Sequence, residues 1–307
     1  MGHEIVGIAI RVGTETDGLI KVGDRVGVGC QADACGSCDA CKADMPNYCA
    51  MPTWTYNSLH HNGTPAMGGY ATYQRCPAKF VVKIPDELES ADAAPMLCAG
   101  VTIYSALEQN RCGPGKIVGI IGLGGLGHFG ILMAKALGAD KVIAISRKAD
   151  KAADALKLGA DEYASTAEDT EWTKKYFRSM DLIISTVSDA KVSLPVTIPL
   201  GQCILKITKA PLTEYLNLVR FDGTFCQIGA PDGGILKISY YPLMINRIKF
   251  ISSMIGSPDE IGQMLQLAAD KKMKPWVEER PMKEANRAVL DIEAGRPKYK
   301  YVLVNEQ

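Results

Sequence analysis

The sequence predicts an α/β protein, with a doubly wound parallel sheet in the middle of the chain and a mostly β region before it. Three observations carry this reading. Residues 1 to about 85 are short apolar runs broken by glycine turns, with no helix-length periodicity. From Lys116 the texture changes to apolar strand, glycine turn and amphipathic helix, repeated. At the first of these junctions stands a glycine-rich run, Gly122 to Gly127, between a strand and a helix.

The early β region is read from segments such as Val22 to Val26 and Tyr70 to Tyr73. The alternating region opens with a strand at Ile117 to Ile121 and a helix over Phe129 to Leu137 that Gly138 ends. A second strand follows at Val142 to Ile145, then a helix over Lys148 to Leu158 stopped by Gly159, and a strand at Leu182 to Ile184. Thr224 to Ile228 and Lys249 to Ser252 would complete the sheet. Beyond it, Ile261 to Ala269 has the apolar spacing of a helix, and Tyr299 to Val304 reads as a closing strand.

Composition bounds the function. A chain of 307 residues, 47% hydrophobic and with a mean hydropathy of +0.01, is long enough for two globular domains. Its 34 basic and 34 acidic side chains cancel and are dispersed, so no basic field draws in nucleic acid or an anionic membrane. A small-molecule partner is expected. No stretch is apolar enough for a bilayer span and the opening residues are not a secretory leader, so the default location is cytoplasmic.

Gly122-Leu123-Gly124-Gly125-Leu126-Gly127 has the G-x-G-x-x-G spacing in its proper strand–turn–helix context, which marks the sheet as a Rossmann fold. Gly122 permits a tight turn, Gly124 close approach to a pyrophosphate, and Gly127 close packing of helix on strand. Roughly 20 residues on, an NAD enzyme places an acidic residue for the ribose 2′-hydroxyl. This chain has Ser146-Arg147-Lys148 there, which favours a 2′-phosphate and hence NADP(H). An ordinary solvated loop is the plainer alternative.

Four of the ten cysteines, Cys35, Cys38, Cys41 and Cys49, share one short loop with metal-ligand spacing. Four thiolates close a tetrahedral zinc shell and leave no position for substrate, so the site reads as structural zinc and catalysis lies elsewhere. A nucleic-acid-binding zinc ribbon and a redox dithiol are the competing readings. Cys30, Cys76, Cys112, Cys203 and Cys226 fall outside the pattern and read as small buried apolar residues.

Taken together, Gly2-His3-Glu4, the four-cysteine loop, Cys98-Ala99-Gly100-Val101-Thr102 and the glycine motif resemble the zinc-containing medium-chain alcohol dehydrogenases. Trp54-Thr55-Tyr56, Gly68-Gly69-Tyr70 and Cys112-Gly113-Pro114-Gly115 are similar to the cinnamyl alcohol dehydrogenase branch, particularly its fungal NADP-dependent members. The resemblance implies a GroES-like catalytic domain, incomplete at its amino end, over residues 1–89 with 257–307 returning to it, and a Rossmann domain over 90–256. It implies zinc, structural and catalytic, and NADP(H) as cofactors, and a primary alcohol or aldehyde, aromatic or medium-chain aliphatic, as substrate. His3, Glu4 and Cys98 match the catalytic zinc site and Trp54 the substrate pocket. Thr102 lies where the family contacts nicotinamide, and Gly125, Leu126, Lys151 and Gly229 join the cofactor set. A homodimer through the edge strands near Lys249 to Met254 is expected by analogy.

Two departures from the family are expected to matter. Relatives carry a segment before Gly-His-Glu with a further cysteine ligand and a hydroxyl proton relay, so one ligand of the catalytic zinc would lie outside this sequence and activity would be impaired. Val192 to Lys209 has no counterpart and is apolar and β-prone, unusual for a loop. A gene model that starts inside the coding region and reads through an intron would explain both, and a diverged, natural short form is the rival. The competing functions are a non-catalytic NADPH-binding protein and a zinc-free quinone reductase, the latter opposed by the cysteines.

Overall fold

The computed structural model describes residues 1–14, 16, 18–188, 212–230, 236 and 238–305. Cys203 and the segment Val192 to Lys209 lie outside the described residues. The chain divides into two compact units. One comprises Met1–Ser105, Gly124–Ala136 and Met254–Gln307, the other Ala106–Leu123 and Leu137–Ser253.

The first unit holds short antiparallel sheets. Strands β1 (Ile5–Ile8), β2 (Arg25–Val28) and β7 (Val81–Lys83) form a three-stranded sheet in the order β1-β2-β7. β3 (Gln31–Asp33) pairs with β4 (Thr53–Trp54), and β5 (Tyr56–Leu59) pairs with β6 (Pro65–Met67). The short helices α1 (Asp39–Lys42) and α2 (Ser90–Ala93) lie in its connections, and α3 (Ala99–Gln109) follows them. Tyr70 to Tyr73, expected as a strand, is bent over its first three residues and irregular at Tyr73. Gly69 and Tyr70 spend their N–H groups on the carbonyls of Gly2 and Met1, both at 2.9 Å, so no ladder continues there.

The second unit is built on a six-stranded parallel sheet of β8 (Ile117–Ile121), β9 (Lys141–Ser146), β10 (Glu162–Ser165), β11 (Met180–Ser185), β12 (Val219–Gln227) and β13 (Lys249–Ser252). Its order, β10-β9-β8-β11-β12-β13, is the Rossmann order 3-2-1-4-5-6. Central strands such as Ile117–Ile121 and Lys141–Ser146 are buried along four consecutive residues, the apolar run that a parallel strand covered on both faces requires. Phe225, Ile183, Ile143, Tyr215 and Trp172 belong to one core cluster. Helices α5 (Ala152–Lys157), α6 (Trp172–Lys175), α7 (Leu212–Leu216) and α8 (Tyr240–Asn246) belong to this unit, whereas α4 (Gly127–Ala136), which follows β8 in the chain, falls in the first. The helix expected from Lys148 starts late, because a 3₁₀ turn at Ala149–Lys151 precedes α5.

The chain then returns to the first unit through α9 (Pro258–Asp270), β14 (Val277–Pro281), α10 (Ala285–Glu293) and β15 (Lys300–Val304). Ser257 and Glu260 start α9 with a reciprocal capping box, the side chain of each bonding the other's backbone N–H. Ile261, Met264, Leu265, Ala268 and Ala269 bury one stripe of the helix. β14 and β15 form a two-stranded parallel sheet. Among the described residues no helix is long and apolar enough to cross a membrane.

Candidate metal centres and dinucleotide loop

Three ligand atoms from distant parts of the first unit converge, those of His3, Cys30 and Cys98, all within 4.8 Å of one another. The convergence follows from strand register. β1 runs antiparallel to β2 with Ile5 opposite Val28, and continuing that register two residues sets His3 opposite Cys30. Cys30 is pinned from behind, since its carbonyl accepts from Thr55 N–H at 2.9 Å. Thr55 Oγ1 also donates to Gly29 O at 2.5 Å. Cys98 stands at the entrance to α3, after the 3₁₀ turn Ala94–Leu97. The His3 ring stacks on Tyr56 with centroids 5.7 Å apart.

The three groups are electrostatically interlocked. Hydrogen bonding with Cys98 raises the His3 pKa. Hydrogen bonding with Cys30, and then burial, holds the Cys98 thiol well above its ordinary value. The same hydrogen bond lowers the Cys30 thiol. Two sulfurs and an imidazole nitrogen form a donor set that suits zinc. A tetrahedral shell with Zn–S bonds of about 2.3 Å has ligand–ligand edges of about 3.8 Å, so separations of up to 4.8 Å need only a modest contraction. The residues therefore fit the metal.

Glu4, expected in this group, is not among the three converging ligands. Its Oε1 accepts from Ala99 N–H at 3.1 Å and from Lys300 Nζ at 2.9 Å, and its Oε2 lies 2.8 Å from the same ammonium. Cys30, read from the sequence as a small buried apolar residue, is half-buried and joins the cluster. Its signal was the pairing of β1 with β2, which brings together residues that sequence spacing leaves apart.

Cys35, Cys38, Cys41 and Cys49 form the second convergence, their sulfurs all within 4.8 Å of one another. The backbone is folded around them as around thiolates. Cys35 Sγ accepts from the N–H groups of Ser37 and Cys38 at 3.5 and 3.4 Å. Cys49 Sγ accepts from those of Cys35 and Met51 at 3.4 and 3.3 Å. The N–H of Ser37, followed by that of Cys38, brings Cys35 down to about 5, whereas burial pushes Cys41 up to about 12. Gln31 Nε2 donates to Pro46 O at 2.8 Å and anchors the loop. This donor set also fits zinc, in a closed shell.

In the second unit the strand order reverses between β8 and β11, the switch point at which open α/β sheets bind ligands. Gly122 leaves the end of β8 with φ +89°, and a Cβ there would lie 2.8 Å from both Thr186 Oγ1 and Val187 Cγ1. Its N–H donates to Ile145 O at 2.8 Å, and Thr186 Oγ1 donates to Ile121 O and Gly122 O at 2.9 and 3.0 Å. Gly229 is confined in the same way, with the site of a Cβ only 2.3 Å from Val187 O. Gly124, by contrast, has no neighbour within 4 Å of that position among the described residues. Gly125 and Leu126 follow, and Gly127 is buried at the start of α4.

Ser146 ends β9, Arg147 after it is exposed, and Lys151 Nζ donates to Leu123 O at 2.6 Å, behind the glycine turn. In the first unit, Thr102 is buried in α3 with Oγ1 donating to Cys98 O at 2.7 Å, and Trp54 pairs with Gln31.

Comparison with known proteins bears on both units. Residues 1–86 match the alcohol dehydrogenase GroES-like domain and residues 125–197 the zinc-binding dehydrogenase domain. The chain is 38% identical over 306 residues to NADP-dependent alcohol dehydrogenase 6 of Saccharomyces cerevisiae, covering 99% of this chain and 80% of that protein. It is 36% identical to a probable cinnamyl alcohol dehydrogenase of Pinus taeda, covering 98% and 79%. Among solved structures, a cinnamyl alcohol dehydrogenase from Sorghum bicolor superposes with a TM-score of 0.86 at 31% identity, covering 98% of this chain and 80% of that one. The Helicobacter pylori enzyme complexed with NADP(H) does so at 0.83 and 28%, covering 98% and 80%. This chain therefore belongs to the zinc-containing medium-chain alcohol dehydrogenase family, in its cinnamyl alcohol dehydrogenase-like branch.

Proposed function

We propose that the chain interconverts primary alcohols and aldehydes, aromatic and medium-chain aliphatic, with NADP(H) as hydride carrier and zinc as Lewis acid. The observation that carries this reading is the convergence of His3 and Cys98 in one half-buried metal-binding cluster, in a chain that also bears the glycine loop at a Rossmann switch point. When bound, the metal lowers the pKa of an alcohol or polarises an aldehyde, and the nicotinamide accepts or returns the hydride.

The chain's own residues supply position and charge. His3 and Cys98 hold the metal of the reacting centre, while Cys35, Cys38, Cys41 and Cys49 hold a second that fixes the loop. Glu4, neutralised by Lys300, places a carboxylate next in sequence to His3. Gly122, Gly124, Gly125, Leu126 and Gly127 cradle the pyrophosphate, with Gly229 confined behind them. Arg147 and Ser146, with Lys151 close by in sequence, receive the 2′-phosphate, Arg147 offering a rigid donor fork. By the family resemblance Thr102 would meet the nicotinamide and Trp54 the substrate. The domain division is placed at 1–89 with 257–307 against 90–256. Two copies pair through β13, the exposed edge of the sheet.

The test is oxidation of NADPH by the purified chain with cinnamaldehyde, followed by loss of the reduced nicotinamide absorbance, in parallel with NADH. Turnover that prefers NADPH and is abolished by His3→Ala supports the reading. NADPH binding with no turnover in zinc-replete protein refutes it in favour of a non-catalytic binding protein.

A further inference from the structure

We infer that Cys30 is itself a ligand of the metal held by His3 and Cys98, so that this centre has a second thiolate from a position outside the family's metal-binding pattern. The inference rests on the zinc-enzyme reading and deepens it.

Three observations converge on Cys30. Its sulfur lies within 4.8 Å of both the His3 and the Cys98 ligand atoms, so one ion can touch all three. It is placed by the backbone, through the register of β1 on β2 and the bond from Thr55 N–H to its carbonyl. That fixes its Cα before any metal arrives, as a preorganised ligand requires. The carboxylate next in sequence to His3 is already engaged, for Glu4 holds both Lys300 Nζ and Ala99 N–H and would have to surrender them to reach the ion. Two thiolates and one imidazole satisfy three corners of a tetrahedral zinc and leave the fourth open, the arrangement of a catalytic rather than a structural site. Binding Zn²⁺ releases the two thiol protons to solvent, and no oxidant or reductant is involved.

Cobalt(II) substituted for zinc tests this independently of activity, because sulfur-to-cobalt charge transfer reports thiolates bound directly. The chain as given is loaded at both centres, and the spectrum of the His3 centre is taken as the difference on filling it second. Expected for Cys30→Ser and Cys30→Ala is loss of about half that band, as in Cys98→Ala, with zinc falling from two towards one per chain and cobalt affinity at this centre dropping at least about tenfold. Far-ultraviolet circular dichroism and NADPH binding are expected to stay at wild-type values. Should the alanine variant misfold, the near-isosteric serine gives the answer alone. An unchanged band in Cys30→Ser, with a weaker affinity or not, overturns the inference, since Cys30 would then only neighbour the metal, and leaves the proposed function standing. A wild-type chain that takes up one metal in all overturns both.

Discussion

The two first glycines of the dinucleotide loop are expected to fail in opposite ways when given a methyl group. Gly122 combines a left-handed backbone, φ +89°, with a Cβ position 2.8 Å from Val187 Cγ1 and from a Thr186 hydroxyl pinned by two carbonyls. An L-residue in that conformation costs about 1–2 kcal/mol, and forcing an extra methyl into packed surroundings adds about 1–3 kcal/mol. Gly122→Ala is thus expected to lose about 2–5 kcal/mol of stability. Gly124 has neither handicap, as no atom of the described residues lies within 4 Å of its missing Cβ. Gly124→Ala is expected to hold its stability or gain up to about 1 kcal/mol from reduced chain entropy, while its methyl fills the space the pyrophosphate needs. A weakening of NADPH binding by at least about tenfold, some 1.4 kcal/mol, should result. Guanidinium unfolding measures the first quantity and fluorescence titration with NADPH the second. The reasoning is refuted if the two variants lose similar stability, or if Gly124→Ala binds NADPH as tightly as wild type.

Other expectations are simpler. Ser257→Ala removes half of the capping box on α9 and should cost about 1 kcal/mol in denaturant unfolding. Burial holds the His128 imidazole down to about 4, and Nε2 has no hydrogen-bond partner among the described residues. The folded chain thus binds this proton more weakly than the unfolded chain does. Its contribution to stability is complete above the unfolded value of about 6.5 and is lost as pH falls towards 4. His128→Phe, which keeps a ring stacked on Tyr299 and tilted against Phe129, should flatten that slope, and an unchanged pH–stability profile would contradict this. Arg147→Glu should lower the preference for NADPH over NADH by at least about tenfold, about 1.4 kcal/mol, in paired cofactor titrations.

What the sequence disclosed depended on whether the information was local. Ile117–Ile121 and its glycine motif were legible because a buried parallel strand and a phosphate turn are each written in consecutive residues. The four-cysteine loop was legible for the same reason. β10 escaped notice because Glu162-Tyr163-Ala164-Ser165 is an edge strand, with neither an apolar run nor clean alternation. Cys30 was misread as a spare core thiol because its meaning lies in pairing. It becomes a ligand candidate only when β2 is laid against β1 with Val28 opposite Ile5. Glu4 shows the converse limit. Motif adjacency put it beside the metal, but its partner Lys300 comes from β15, a strand no local pattern connects to it.

The pair between Glu4 and Lys300 also imposes an order on synthesis. A chain emerging from the ribosome at about 5–20 residues per second tends to complete its domains in turn. The Rossmann sheet is finished once β13 has appeared. Much of the unit that holds His3 precedes that sheet in the chain, yet it still waits for α9, β14 and β15 to arrive. Until Lys300 is made, Glu4 lacks its counter-charge beside two thiols and an imidazole, so a region begun before the Rossmann sheet becomes whole only after it.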